Sequence, residues 1–293
     1  ELKEVFMDHT VGYHHPNYLS HLNCPVALPS ILGDLVASSL NTAIETWDQS
    51  TSGTLIEQEM IDWICNRMGM TKAADGIFTS GGSQSNLLGM ILARDHFAYD
   101  NYGINIKEHG FDHRISKFKI LCSEKSHFSL KKSAAILGMG YDAVIPVATD
   151  ERMKMQPDAL EQTIKDCIQK GDIPIAVVAT LGTTDYGSFD PLIDISYLAQ
   201  KYNLWLHIDG AYGGCFALTE THSNYFNGIA SADSVTIDFH KTYYQTVCSS
   251  ALLVNEKDHF KYVAHHADYL NPIDHRNDEM PNLIEKSIQT TRR

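Results

Sequence analysis

From residue 76 onward, short apolar runs alternate with longer segments whose apolar positions recur every three or four residues. Gly76-Ile77-Phe78-Thr79 reads as a strand. It meets a glycine pair and then the segment 83–97, where Leu87, Leu88, Ile91 and Leu92 fall at helical spacing. Further strands are expected at 118–122, 143–147, 174–180, 204–208, 234–237 and 250–254, and further helices at 126–137, 157–169 and 190–202. Pro157 and Asp158 are typical first-turn residues, and the run 174–180 is apolar throughout, as a strand buried on both faces must be. The alternation predicts βαβ units: an α/β fold with a mostly parallel seven-stranded sheet and helices on both faces.

Residues 1–75 follow another pattern. A lead rich in Tyr, His, Pro and Asn precedes a stretch, about 29–68, with helical periodicity throughout. With no internal repeat and no low-complexity linker, the chain divides into an N-terminal extension, 1–75, and one large α/β domain, 76–293. The composition is that of a globular protein, with 43% hydrophobic and 20% charged residues, which excludes a disordered or collagen-like chain. The net charge of −13 disfavours nucleic acid and anionic membranes as partners. No apolar run reaches the roughly 18 residues of a membrane span. The six cysteines are far apart in sequence, with no C-x-x-C pair, and read as reduced, buried thiols of a cytoplasmic protein. His9, His14, His15 and His21 lie close together but lack any metal-ligand spacing, so no metal site is assigned. Gly138-Met139-Gly140-Tyr141-Asp142-Ala143 fits a dinucleotide fingerprint in letters only. A helix precedes it and a strand follows, the reverse of what that motif needs, so its glycines are read as helix caps.

Four features fall where open α/β sheets place ligands, at strand ends. Gly81-Gly82-Ser83-Gln84-Ser85-Asn86 joins a strand to a helix, where glycines, free amides and hydroxyls make a phosphate cradle. In Leu206-His207-Ile208-Asp209-Gly210-Ala211-Tyr212-Gly213-Gly214 a carboxylate closes an apolar strand, and such a group stays ionised only when it faces a cation. Asp238-Phe239-His240-Lys241 puts an amine beside a histidine and aromatics, where it can attack a carbonyl. Ser126-His127 offers an imidazole face. Cradle, carboxylate, imidazole and amine together meet the needs of pyridoxal 5'-phosphate.

On these motifs the chain resembles the pyridoxal-phosphate-dependent group II amino-acid decarboxylases, the glutamate and aromatic amino-acid decarboxylase superfamily, and within it the bacterial 2,4-diaminobutyrate and siderophore-pathway diamino-acid enzymes. The resemblance implies a fold-type-I large domain. It assigns Ser83, Gln84 and Ser85 to the phosphate turn and His127 to stacking on the cofactor ring. Thr183, in Thr180-Leu181-Gly182-Thr183-Thr184, would face the cofactor, Asp209 would hold the pyridinium, and Ala211 would pack under the ring. His240 would bind phosphate and Lys241 would carry the aldehyde. Tyr269, in a polar stretch 265–282 read as a long mobile loop, matches a loop tyrosine that returns a proton to the substrate carbon. His21 falls where glutamate decarboxylases contact substrate. Asp238-Phe239 departs from the Asn-Pro of many members, which puts a phosphate contact there in doubt.

Family members are longer, and a C-terminal small domain follows an Arg-Arg pair like Arg292-Arg293, so the chain reads as a fragment of a longer enzyme. The family is dimeric, with the active site at the subunit interface. The activity implied is loss of CO2 from an L-amino acid to give a primary amine. The substrate expected is a diamino acid such as 2,4-diaminobutyrate; a glutamate or aromatic decarboxylase, an aminotransferase of the same fold type, or a non-enzymatic relative stays open on sequence.

Overall fold

A computed structural model describes residues 1–19, 21–272 and 280–291. The chain opens with α1 (Leu2–Val5), α2 (Leu28–Leu40) and α3 (Thr51–Met68). Then follow β1 (Asp75–Thr79), α4 (Gly82–Tyr102), α5 (Ile106–His109), β2 (Phe118–Ser123), α6 (Ser129–Ile136), β3 (Val144–Val147) and α7 (Pro157–Gln169). The remainder is β4 (Ile173–Thr180), α8 (Leu192–Lys201), β5 (Trp205–Asp209), β6 (Ser234–Asp238), α9 (Phe239–Thr242) and β7 (Ser250–Val254). Every expected strand is present, within a residue or two of its expected ends.

The seven strands form one sheet in the order β1-β7-β6-β5-β4-β2-β3. β2, β3, β4, β5 and β6 pair in parallel, while β7 runs antiparallel to both β1 and β6. Helices cover both faces and split the core in two. One layer joins Ile61, Ile64 and Met68 of α3 with Leu160 and Ile164 of α7 and Ile195 and Leu198 of α8, against Val177, Leu206, Ile208, Val235 and Ile237. The other joins Leu88, Leu92 and Ala93 of α4 with Leu130 and Ala134 of α6, against Ile120, Val178, Leu252 and Val254. The glycines at 138 and 140 take positive φ after α6, with the Met139 amide bonded back to Ala134 O, which is a helix cap as expected.

The structure corrects four expectations. The stretch 29–68 is two helices, not one: Asn41 takes a left-handed φ of 50° at the end of α2, and residues 42–50 turn back before α3. The expected helix 126–137 begins three residues late, so Ser126-His127-Phe128 forms a turn at the mouth of the sheet. The six thiols are unpaired, but only Cys65, Cys122 and Cys167 are buried; Cys248 is exposed. The stretch 265–282 is tied down near its start. Buried Asn271 accepts from Trp47 N (3.2 Å) and donates to Glu45 O (3.2 Å) and Asn282 Oδ1 (3.0 Å). Residues 273–279 of that stretch, like Arg292-Arg293, lie outside the described residues. Among the described residues no helix is long and apolar enough to cross a membrane.

α4 approaches the sheet closely at Gly89. Gly89 lies over β5, and a Cβ built there would stand 2.8 Å from Cε1 and Nδ1 of the His207 ring. Alanine in a helix interior is ordinarily better than glycine by about 1 kcal/mol. Here overpacking, at roughly 1–3 kcal/mol, outweighs that gain. Gly89→Ala is therefore expected to lower the urea midpoint of the full-length protein; a raised midpoint would contradict this packing.

Candidate active site

The C-terminal ends of the parallel strands open into a cavity of about 390 Å3. This is where parallel sheets expose strand-end loops and helix N-termini to a ligand. Its wall takes Ser80, Gly82 and Ser83 from the β1–α4 turn, His127 from the turn after β2, Thr180 and Thr184 from the end of β4, Asp209 and Ala211 from β5, and His240 and Lys241 from α9.

At one side, the start of the 21-residue α4 faces the space. The first amides of a helix have no intrahelical acceptor, and the helix dipole adds positive potential there, so this end suits an anion. Gly82 is required by proximity, since a Cβ would stand 2.9 Å from both carboxylate oxygens of Asp238. Gln84 holds the turn shut, with its Oε1 accepting from Ser80 N (2.8 Å) and Ser80 Oγ (2.6 Å).

Asp209 stands at the end of β5 and is 5% exposed. It accepts from Asn86 Nδ2 at 2.9 Å and from Ala211 N at 3.2 Å. Both donors are neutral, and among the described residues no cation forms an ion pair with it. A buried carboxylate facing a cavity without a counter-charge calls for a cationic ligand atom, and a protonated pyridine nitrogen supplies one.

At the end of the neighbouring strand, Lys241 Nζ lies 3.0 Å from Asp238 Oδ2. Asp238 is itself buried, accepts from Ser250 Oγ at 2.6 Å, and has His240 Nε2 at 3.7 Å. The carboxylate in place of the family's amide is thus the ion-pair partner of the lysine. The loop after Lys241 carries Tyr244 and Cys248 at φ 59° and 63°, conformations that side-chain-bearing residues adopt at a cost. Residues of the extension lie along this loop: Ala27 N donates to Tyr244 O (2.9 Å), and Thr246 N to Ser30 Oγ (3.1 Å).

His127 packs on Phe128, with ring centroids 4.2 Å apart, and its Nδ1 accepts from Ser129 N at 3.2 Å. Burial pushes its pKa below the ordinary histidine value, an effect that nearby Asp209 partly opposes.

Of the expected site residues, Ser83, Gln84, His127, Asp209, Ala211, His240 and Lys241 line this cavity, and Ser85, Thr183, His21 and Tyr269 do not. The Ser85 hydroxyl points into the protein, 2.7 Å from Thr79 Oγ1 and 3.1 Å from Ser250 Oγ. Thr183 is bonded to Ser188 (2.7 Å), and its neighbour Thr184 faces the cavity instead. His21 stacks on Tyr18 in the extension, and Tyr269 is 84% exposed in a surface turn. Sequence reasoning passed over Asn86 and gave Asp238 no role beyond a departure from the family pattern, although both stand inside motifs it singled out. The signal for Asn86 is its place four residues into a helix whose start approaches the sheet.

The site and fold have close relatives. The whole chain, residues 1–293, matches the family described as the pyridoxal-dependent decarboxylase conserved domain. An L-2,4-diaminobutyrate decarboxylase of Acinetobacter baumannii is 38% identical over 99% of this chain and 58% of its own length. One of Rhizobium meliloti is 39% identical over 100% of this chain and 56% of its own length. Among solved structures, the glutamate decarboxylase domain of diaminobutyrate-pyruvate transaminase and L-2,4-diaminobutyrate decarboxylase from Vibrio parahaemolyticus has TM-score 0.87 and 39% identity. That match covers 89% of this chain and 57% of that chain. The chain therefore spans little more than half the length of the relatives it matches. By its match over all 293 residues, the chain belongs to the pyridoxal-dependent decarboxylase family.

Proposed function

We propose that the full-length protein removes the α-carboxylate of a diamino acid such as L-2,4-diaminobutyrate as CO2, leaving a primary amine. The observation that carries this reading is the placement of Asp209 and Lys241 in one cavity, a buried carboxylate with no ion-pair partner among the described residues and an amine from the end of the neighbouring strand. The 38–39% identity to two diaminobutyrate decarboxylases supports the substrate class.

The residues fit pyridoxal 5'-phosphate. Asp209 would hold its protonated ring nitrogen. The start of α4, with Ser83 and His240, would hold its phosphate, and His127 would pack on the ring. Lys241 would bond the aldehyde carbon with release of water. When bound, the cofactor supplies an electron sink for the pair left on the substrate carbon as CO2 departs. For Lys241 to act as a nucleophile its ammonium must give up both its proton and its contact with Asp238 Oδ2. The negative charge of Asp209 favours the charged form of the ring nitrogen, and the enclosing strand ends limit water around it.

Tyr269 would return the proton to the substrate carbon. From its exposed turn, two residues before the anchored Asn271, it would reach a cavity by meeting a second subunit. A homodimer is the natural partner arrangement. α2 has no buried residue in this chain, and Leu28, Leu32, Leu35 and Leu40 along it are all more than half exposed. The extension 1–75 would then complete both the dimer and the site, and the six unpaired thiols fit a reducing, cytoplasmic setting.

Borohydride reduction of the cofactor-loaded full-length protein, followed by peptide mass spectrometry, is expected to place the label on Lys241. A label on another lysine would overturn the assignment. Tyr269→Phe in the same protein keeps the ring and removes only the hydroxyl. Parallel assays of CO2 and amine should show CO2 still released while the amine-to-CO2 ratio falls from one. A ratio that stays at one would show that the proton comes from elsewhere.

A further inference from the structure

Alternate residues of β5 and β6 on the face beneath α4 break the rule for a sheet covered on both sides. That face should be apolar. It carries His207 and Asp209 on β5, paired in register with Ser234 and Thr236 on β6, and all four are buried. Asn86 reaches down from α4 and is 1% exposed.

The hydrogen bonds among these groups can run in only one direction. Trp205 Nε1 is a donor only, and it gives its proton to Ser234 Oγ at 2.8 Å. At the other end, Asn86 Nδ2 donates to Asp209 Oδ2 (2.9 Å) and to Ser129 Oγ (3.0 Å). The reverse amide orientation would aim a carbonyl at a carboxylate. Asn86 Oδ1 therefore faces His207 Nε2 at 2.9 Å and can only accept, so Nε2 carries the ring proton. Burial holds the His207 ring neutral, its pKa pushed down to about 4, so Nδ1 is bare. Nδ1 must then accept from the Ser234 hydroxyl, 2.7 Å away.

We propose that Ser234, His207 and Asn86 form a one-way chain of hydrogen bonds whose task is to fix Asp209, with His207 as a positioning residue for the carboxylate that meets the cofactor. Each donor points toward Asp209, so the carboxylate is held by a polarised neutral chain rather than by a cation. Its charge is left for the ligand, whereas an arginine or lysine in the same place would neutralise it. The inference rests on the cofactor reading above for the identity of that ligand, but the direction of the chain does not.

Two measurements on the full-length protein test it. Neutron diffraction of the cofactor-free protein should place a deuteron on Nε2 of His207 and none on Nδ1. A deuteron on Nδ1, alone or on both nitrogens, would overturn the chain. Affinity for pyridoxal 5'-phosphate is then compared in three variants. His207→Gln keeps a donor at the Nε2 position and should hold the dissociation constant within about threefold of wild type. His207→Leu removes it and should raise the constant about tenfold or more, the scale of a buried acceptor, Asn86 Oδ1, left without its donor. Ser234→Ala, which acts three hydrogen bonds from Asp209, should raise it by an intermediate factor and decides the matter if the Leu variant does not fold. Gln and Leu variants of equal affinity, or an unaffected Ser234→Ala, would reduce His207 to a packing residue. Failure of the wild type to bind would overturn the cofactor reading instead, while the deuteron would still decide the direction of the chain.

Discussion

The structure turns on one buried carboxylate. Asp209 stands at the end of a central strand, 5% exposed, with only neutral donors as partners. An ionised group so placed is costly unless hydrogen bonds and an opposite charge compensate it. The hydrogen bonds are supplied from within. Among the described residues no cation pairs with it, and the cavity in front of the carboxylate is the space from which one can come. Much of the local architecture follows: a polar row beneath α4, a glycine at 89 that lets the helix settle over His207, and an asparagine at 86 that spans helix and sheet.

The second carboxylate has the opposite character. Asp238 ends the neighbouring strand and is paired with Lys241 at 3.0 Å. The cavity thus holds one carboxylate that is already compensated and one that is not. That asymmetry would favour a cationic ligand atom at Asp209, while the start of α4, which also lines the cavity, suits an anion. Parallel strands make this division possible because their C-terminal ends open side by side on one edge of the sheet.

The strands were legible in the sequence because burial on both faces leaves continuous apolar runs such as Ile175 to Ala179. The break between α2 and α3 was not, because it rests on one left-handed asparagine inside an otherwise helical pattern. That Asp209 and Lys241 would face one cavity could be read because a carboxylate or an amine at the end of an apolar strand has few structural reasons to be there. Hydroxyl direction could not. Ser85 and Thr183 sit in the right motifs, yet both turn into internal hydrogen bonds. The link from Asn86 to His207 joins residues 121 apart, and no local pattern encodes a pairing made only when α4 packs on β5.

Asp209, held by neutral donors, is set to pair with a cation supplied by the ligand. The most direct test is the 15N chemical shift of the ring nitrogen of 15N-labelled pyridoxal 5'-phosphate bound to the full-length protein, followed across neutral pH. A pyridinium shift that persists well above the pH at which the free cofactor loses that proton is the predicted result. A neutral pyridine shift at pH 7 would contradict the account.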